Sequence, residues 1–135
     1  MLRFSKNERL SNQKIIDCLF SVKTKFIVFP FSVRYLFTKE EKTGADILII
    51  VPKRLFKRAV DRNRIKRLLR ESYRLQKESF LSNLQLSNER LHFSIALISK
   101  QKLNFAQTQN CMKEILYRLT KLQSNESISN NQESY

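Results

Sequence analysis

What this sequence lacks narrows it first. It has a single glycine, Gly44, and two prolines, Pro30 and Pro52, so neither residue interrupts the stretch from Lys57 to Lys77. The two cysteines, Cys18 and Cys111, stand far apart in apolar helical contexts, with no C-x-x-C pair. They read as small buried hydrophobes in a reduced cytosolic protein, not as a disulfide framework. His92 is the only histidine, and with two cysteines it cannot complete a four-ligand zinc site. Acidic residues are scarce too. Asp17, Asp46 and Asp61 fall in separate segments, without the D-x-D clustering that holds magnesium for phosphodiester cleavage. A metal-free nuclease wants an acid–base pair, commonly histidines, and there is one. A protein-only nuclease is therefore a poor reading. Met1 to Leu10 is charged throughout, which argues against a signal peptide, and the longest apolar run, Ile47 to Val51, is far too short to span a membrane. A cytoplasmic protein is expected, with no protein partner evident.

Positive charge is what the sequence has in excess. Lys and Arg number 26 against 12 Asp and Glu, a net charge of +14. Solubility asks for only about 2–8 charges on a small domain. An excess beyond that opposes compaction and suits a polyanion, either a nucleic acid or an anionic membrane surface. With 41% hydrophobic residues in 135, the chain can still bury one core without metals or disulfides.

The pattern of apolar positions predicts the elements. Ser11 can cap a short helix whose Ile15, Ile16, Leu19 and Phe20 recur at helical spacing. Phe29, Phe31, Val33, Tyr35 and Phe37 alternate with Ser32, Arg34 and Leu36 in a strand that Pro30 starts or places at an edge, and Phe26 to Phe29 suits a short separate strand. Lys39 to Gly44 is a charged turn. Ile47 to Val51 reads as a strand buried on both faces, ended by Pro52. Lys57 to Lys77 follows as a long helix, Ser79 to Glu89 as a polar turn, Phe93 to Ile98 as a second buried strand, and Asn104 to about Leu122 as a final helix. Gln123 to Tyr135 is polar and is expected to be a disordered tail, leaving residues 1–122 as the domain. Two buried strands joined through a helix imply a parallel pair. The result is an α/β (α+β) sandwich of order αβββαβα.

Position sharpens the charge argument. Residues 53 to 77 hold eleven of the basic residues and only two acids, Asp61 and Glu71. At about 100° per residue, Ile65, Leu68 and Leu69 share one helix face. Asn63, Lys66, Arg67, Arg70 and Arg74 fall nearly opposite, and Arg62 and Arg64 flank the apolar stripe. A solvated face stabilised by ion pairs would need acidic neighbours that the sequence does not supply. Arginine outnumbers lysine here, which favours forked contacts to phosphates and base edges. The apolar face carries Ile and Leu without the Trp or Phe of an interfacial helix, so a membrane is the poorer partner. Asn63, able to donate and accept at once, suits a base or a 2′-hydroxyl.

The run Arg62-Asn63-Arg64-Ile65-Lys66-Arg67-Leu68-Leu69-Arg70-Glu71 resembles the signature helix of the bacterial ribonuclease P protein component. Val51-Pro52-Lys53-Arg54 is similar to the strand end and basic pair that precede it in that family. Lys6 to Ser11 and Cys18-Leu19-Phe20 are similar to its first helix, so the likeness covers roughly residues 4 to 122. The resemblance implies a subunit that binds a large catalytic RNA, which itself uses Mg2+ to cut the 5′ leader from precursor tRNA. It implies that Lys53, Arg54, Arg62, Asn63, Arg64, Lys66, Arg67 and Arg70 meet the catalytic RNA, and that a cleft by the first helix takes the leader. Phe20 would line that cleft, together with Arg34 or Tyr35; alternation favours Arg34, on the polar side with Ser32. It also implies a left-handed βαβ crossover. Three departures from the family pattern stand out: Ile16 replaces a second cleft aromatic, Arg34 sits where an aromatic is common, and Leu48 to Pro52 lacks a glycine and hydroxyl often found there. Another basic RNA-binding protein, of ribosomal type, shares the composition but not the signature helix.

Overall fold

The computed structural model describes residues 13–21, 23–39, 44–85, 89–101 and 103–133. Seven elements follow in the order α1 (Gln13–Ser21), β1 (Lys25–Val28), β2 (Phe31–Lys39), β3 (Gly44–Ile50), α2 (Ala59–Gln85), β4 (Glu89–Leu97) and α3 (Phe105–Glu133). The strands form one sheet in the order β1-β2-β4-β3. β1 and β4 each run antiparallel to β2, while β3 and β4, joined through α2, are parallel. The expected order and the parallel pair are both present. The Ser11 cap and most of the charged turn, residues 40–43, lie outside the described residues.

Alternation sorts the sheet into two unlike faces. On one, Phe31, Val33, Tyr35, Phe93, Ile95 and Leu97 pack against Ile65, Leu69, Tyr73 and Phe80 of α2 and Met112, Ile115 and Leu119 of α3. Phe93 is held edge-on by Tyr73 and Phe80, with ring centroids 6.1 and 6.2 Å away. The other face carries Ser32, Arg34, Ser94 and His92 and, among the described residues, meets α1, whose Leu19 is fully buried.

Several boundaries differ from the sequence expectations for packing reasons. The helix α2 does not stop at Lys77. Its polar-looking extension continues to Gln85 because Phe80 carries the apolar stripe on into the core. It begins at Ala59, two residues late, since Leu55 and Phe56 donate their amides to the Pro52 carbonyl and close a turn first. β4 starts at Glu89 because Lys39 of β2 offers it a partner there. Phe29 and Pro30 form the turn of the β1–β2 hairpin, so β1 ends at Val28 instead of Phe29, and it starts at Lys25, which pairs with Arg34. The apolar β3 run, expected to be buried on both faces, lies at the sheet edge with Leu48 to Ile50 half-buried. α3 passes its expected end at Leu122, its last described side chain on the core, and reaches Glu133 through a segment without glycine or proline. Cys18 is exposed and not buried, because it faces away from the side of α1 that presents Leu19.

Candidate nucleic-acid interface

The first half of α2 places its residues as amphipathic spacing requires. Ile65 and Leu69 are buried, and Asn63 and Arg67 are exposed on the opposite side, with Lys66 and Arg70 half-buried beside them. Lys53 and Arg54 are exposed in the turn that leads into the helix. These basic side chains follow one another along the chain from the end of β3 through the first three turns of α2 and on to Arg70.

Arg62, Arg64 and Arg74 are each engaged by the protein itself. Arg62 Nη1 donates to the carbonyls of Phe56 and Lys57, at 2.9 and 2.8 Å. Arg64 Nη2 donates to the Leu103 carbonyl at 3.0 Å. Arg74, expected on the open basic face, forks onto Glu71 with contacts of 3.0 and 2.5 Å. That bond holds the Glu71 carboxyl below, and the Arg74 guanidinium above, their ordinary values. Glu71 is therefore the one acid in the run that offsets the basic row.

Three basic residues escaped the sequence reading as site candidates. Lys57, Arg58 and Lys100 join Arg54 and Arg64 around a groove of about 790 Å³ between the loop after β3 and the loop after β4. Parallel strands end at the same side of a sheet, so the loops that leave β3 and β4 must lie close together. Lys57 and Arg58 were visible within the basic run, whereas Lys100 has no local signal.

The second candidate region lies between α1 and the polar sheet face. Phe20 is 43% exposed, and the Arg34 guanidinium carbon stands 5.6 Å from its ring centroid. Lys25 is paired with Arg34 across the β1–β2 ladder. Tyr35, the alternative cleft residue, is turned into the core at 8% exposure, with the rings of Phe26 and Phe37 each 6.0 Å away. Neighbours along a strand face opposite ways, so Arg34 and Tyr35 lie on different faces of the sheet.

Further along the same face, His92 is 1% exposed, with Nδ1 2.9 Å from Asp46 and Nε2 3.1 Å from the Thr38 hydroxyl. Arg90 forks onto Asp46 at 2.8 and 2.6 Å. Burial works against ionising Asp46 more than any single other influence, but the bonds from His92 and Arg90 and their charges together outweigh it. The carboxyl therefore sits below its ordinary range. The hydroxyl–imidazole–carboxylate order resembles a catalytic relay, yet a general base must reach its substrate, and this imidazole is sealed beneath the surface. It ties β2, β4 and β3 together.

The family model described as Ribonuclease P matches residues 4–123. The chain belongs to the ribonuclease P protein family. The ribonuclease P protein component of Porphyromonas gingivalis is 36% identical over 118 residues, which cover 85% of each chain. That of Chlorobaculum tepidum is 37% identical over 76 residues, 53% of this chain and 49% of its own. Among solved structures, the RNase P protein of Staphylococcus aureus superposes with a TM-score of 0.67 at 21% identity, covering 83% of this chain and 94% of its own. That of Thermotoga maritima gives 0.62 at 20%, covering 82% and 96%. A ribonuclease P protein is the accessory subunit of an endoribonuclease and works with the ribonuclease P RNA in tRNA processing, so the readings as a protein-only nuclease and as a ribosomal-type protein fall away.

Proposed function

We propose that this ribonuclease P protein holds the catalytic RNA on the outward flank of α2 and receives the 5′ leader of precursor tRNA between α1 and the polar face of the sheet. The observation that carries the first half is the sorting of α2: Asn63 and Arg67 stand in solvent, flanked by Lys66 and Arg70, while Ile65 and Leu69 anchor the opposite side. Basic side chains along one flank can replace the counterions of folded RNA and bind it in a salt-dependent way. Lys53 and Arg54 extend that flank. For the leader, Phe20 offers a partly exposed ring for stacking on an unpaired base, and Arg34 and Lys25 offer charge for its backbone.

Magnesium belongs on the RNA in this reading. Among the described residues no three His, Cys, Asp or Glu side chains come together, and Asp46, the most buried of the aspartates described, is already held by Arg90 and His92. The chain's contribution is to hold the RNA and its substrate. Among the described residues no helix is long and apolar enough to cross a membrane, and we place the complex in the cytoplasm.

Reconstitution tests the proposal. The full chain should cleave no precursor tRNA alone, and should stimulate leader removal when added to its cognate ribonuclease P RNA at low magnesium. Leader removal unchanged by the protein would overturn it.

A further inference from the structure

The two arginines on either side of Asn63 build something. Arg62 clasps the Phe56 and Lys57 carbonyls and so fixes the loop after β3. Arg64 clasps the Leu103 carbonyl and fixes the loop after β4. Between these two tethered walls lies the 790 Å³ groove, a size within the roughly 300–1,000 Å³ of small-ligand sites. We propose that it seats one unpaired nucleotide of the RNA partner, its base against Phe56 and its phosphate on Lys57 and Arg58. This rests on the RNA-binding reading above.

The lining is mixed in the way a nucleotide requires. Its floor is apolar, with Ile65 and Leu103 buried and Phe56 half-buried. Its rim is cationic: Arg54, Lys57, Arg58 and Lys100 are all exposed, and the Lys100 ammonium stands 5.8 Å from the Phe56 ring centroid. Among the described residues, Arg54, Lys57 and Arg58 make no ion pair, so their charge is available. A phosphate alone would leave the apolar floor in water. A duplex would present backbone but keep its bases stacked inside, out of reach of the floor. A nucleotide splayed from a loop or bulge satisfies both parts.

Asp61 supports the same occupant. It is the one acid among the groove's lining residues, half-buried and without an ion pair among the described residues. A carboxylate there would repel a bare anion, but it can accept from the N–H groups on the edge of a base. Arg64, which lines the groove, stands three residues before Arg67 of the outward flank on the same helix.

The test uses the full chain and its cognate ribonuclease P RNA, with a benzophenone photocrosslinker introduced at Gln101 on the groove rim. Crosslinks mapped by primer extension should fall on one unpaired nucleotide. Phe56→Leu, which keeps bulk but removes the stacking face, should weaken binding about tenfold and leave the salt slope unchanged. The double variant Lys57→Ala/Arg58→Ala, altering exposed side chains only, should lower the slope by about two. Should Phe56→Leu not melt cooperatively, the double variant and the crosslink decide. Crosslinks spread over duplex regions or absent, or an unchanged slope in the double variant, would overturn the nucleotide seat while RNA binding stands. An unmodified chain that fails to bind the RNA at all would overturn the proposed function itself.

Discussion

The two faces of the sheet are built from the same four strands and have opposite characters. Beneath α2 and α3 the rows are aromatic and aliphatic, and the ring of Phe93 sits between Tyr73 and Phe80. On the other face the rows read Arg34 and Ser94, then His92 and Asp46, and among the described residues α1 sets one fully buried side chain, Leu19, against β2 and β4. Stability is concentrated on the first face, and the second is free to keep charge near the surface. A strand with period two makes this division automatic, because each residue added to one face leaves the next for the other.

If that contrast is right, the largest loss should come from the dry face. Phe93→Ala removes a fully buried ring and leaves a cavity, at a cost of about 3–5 kcal/mol. Thermal melting should show it, and the salt slope of RNA binding, measured where the variant is still folded, should not move. A loss below about 1 kcal/mol would mean that the two faces share the burden.

On the polar face the expected loss is smaller and depends on pH. Asp46→Asn leaves Arg90 without its counter-charge, a change that costs about 3 kcal/mol for a buried pair and somewhat less here, near the edge strand. Because the fold holds the Asp46 carboxyl below its ordinary value, its contribution is present above about pH 4 and is lost as pH falls through that lowered value. Melting curves of the two proteins should therefore differ most at neutral pH and converge in acid. A gap that stayed constant down to pH 2 would remove the Asp46 charge from the account.

The sequence made most of this architecture legible, since alternation marked β2 and helical spacing marked the buried side of α2. It misjudged the strand β3 because a continuous Ile and Leu run looks the same at a sheet edge as at its centre; strand order is a tertiary fact. It stopped α2 too soon because Phe80 and Leu81, set among Ser79, Ser82 and Asn83, are too few apolar positions to show a helical period in a short window. Position along α2 also separated the buried Ile65 from the exposed Arg67. What it could not show was the destination of Arg62 and Arg64. Their acceptors are main-chain carbonyls of Phe56, Lys57 and Leu103, and carbonyls leave no mark in a sequence.

Within the basic segment the same comparison can be drawn residue by residue. Arg62→Ala removes two bonds from a charged donor and should cost about 1–2 kcal/mol of stability, a partly exposed version of the 1.5–3 kcal/mol for such bonds. Arg67→Ala, at an exposed position, should leave stability within about 0.5 kcal/mol. RNA binding should reverse the ranking. If Arg67 contacts one phosphate, its removal should lower the slope of log affinity against log salt by about one unit. Arg62→Ala should change that slope less, because the Nη1 of Arg62 already serves the loop. Asn63→Ala is the finest probe, since an amide releases no counterion: affinity should fall while the slope stays the same. Equal affinity would make Asn63 ordinary surface, and a slope unchanged by Arg67→Ala would move the RNA off this side of α2.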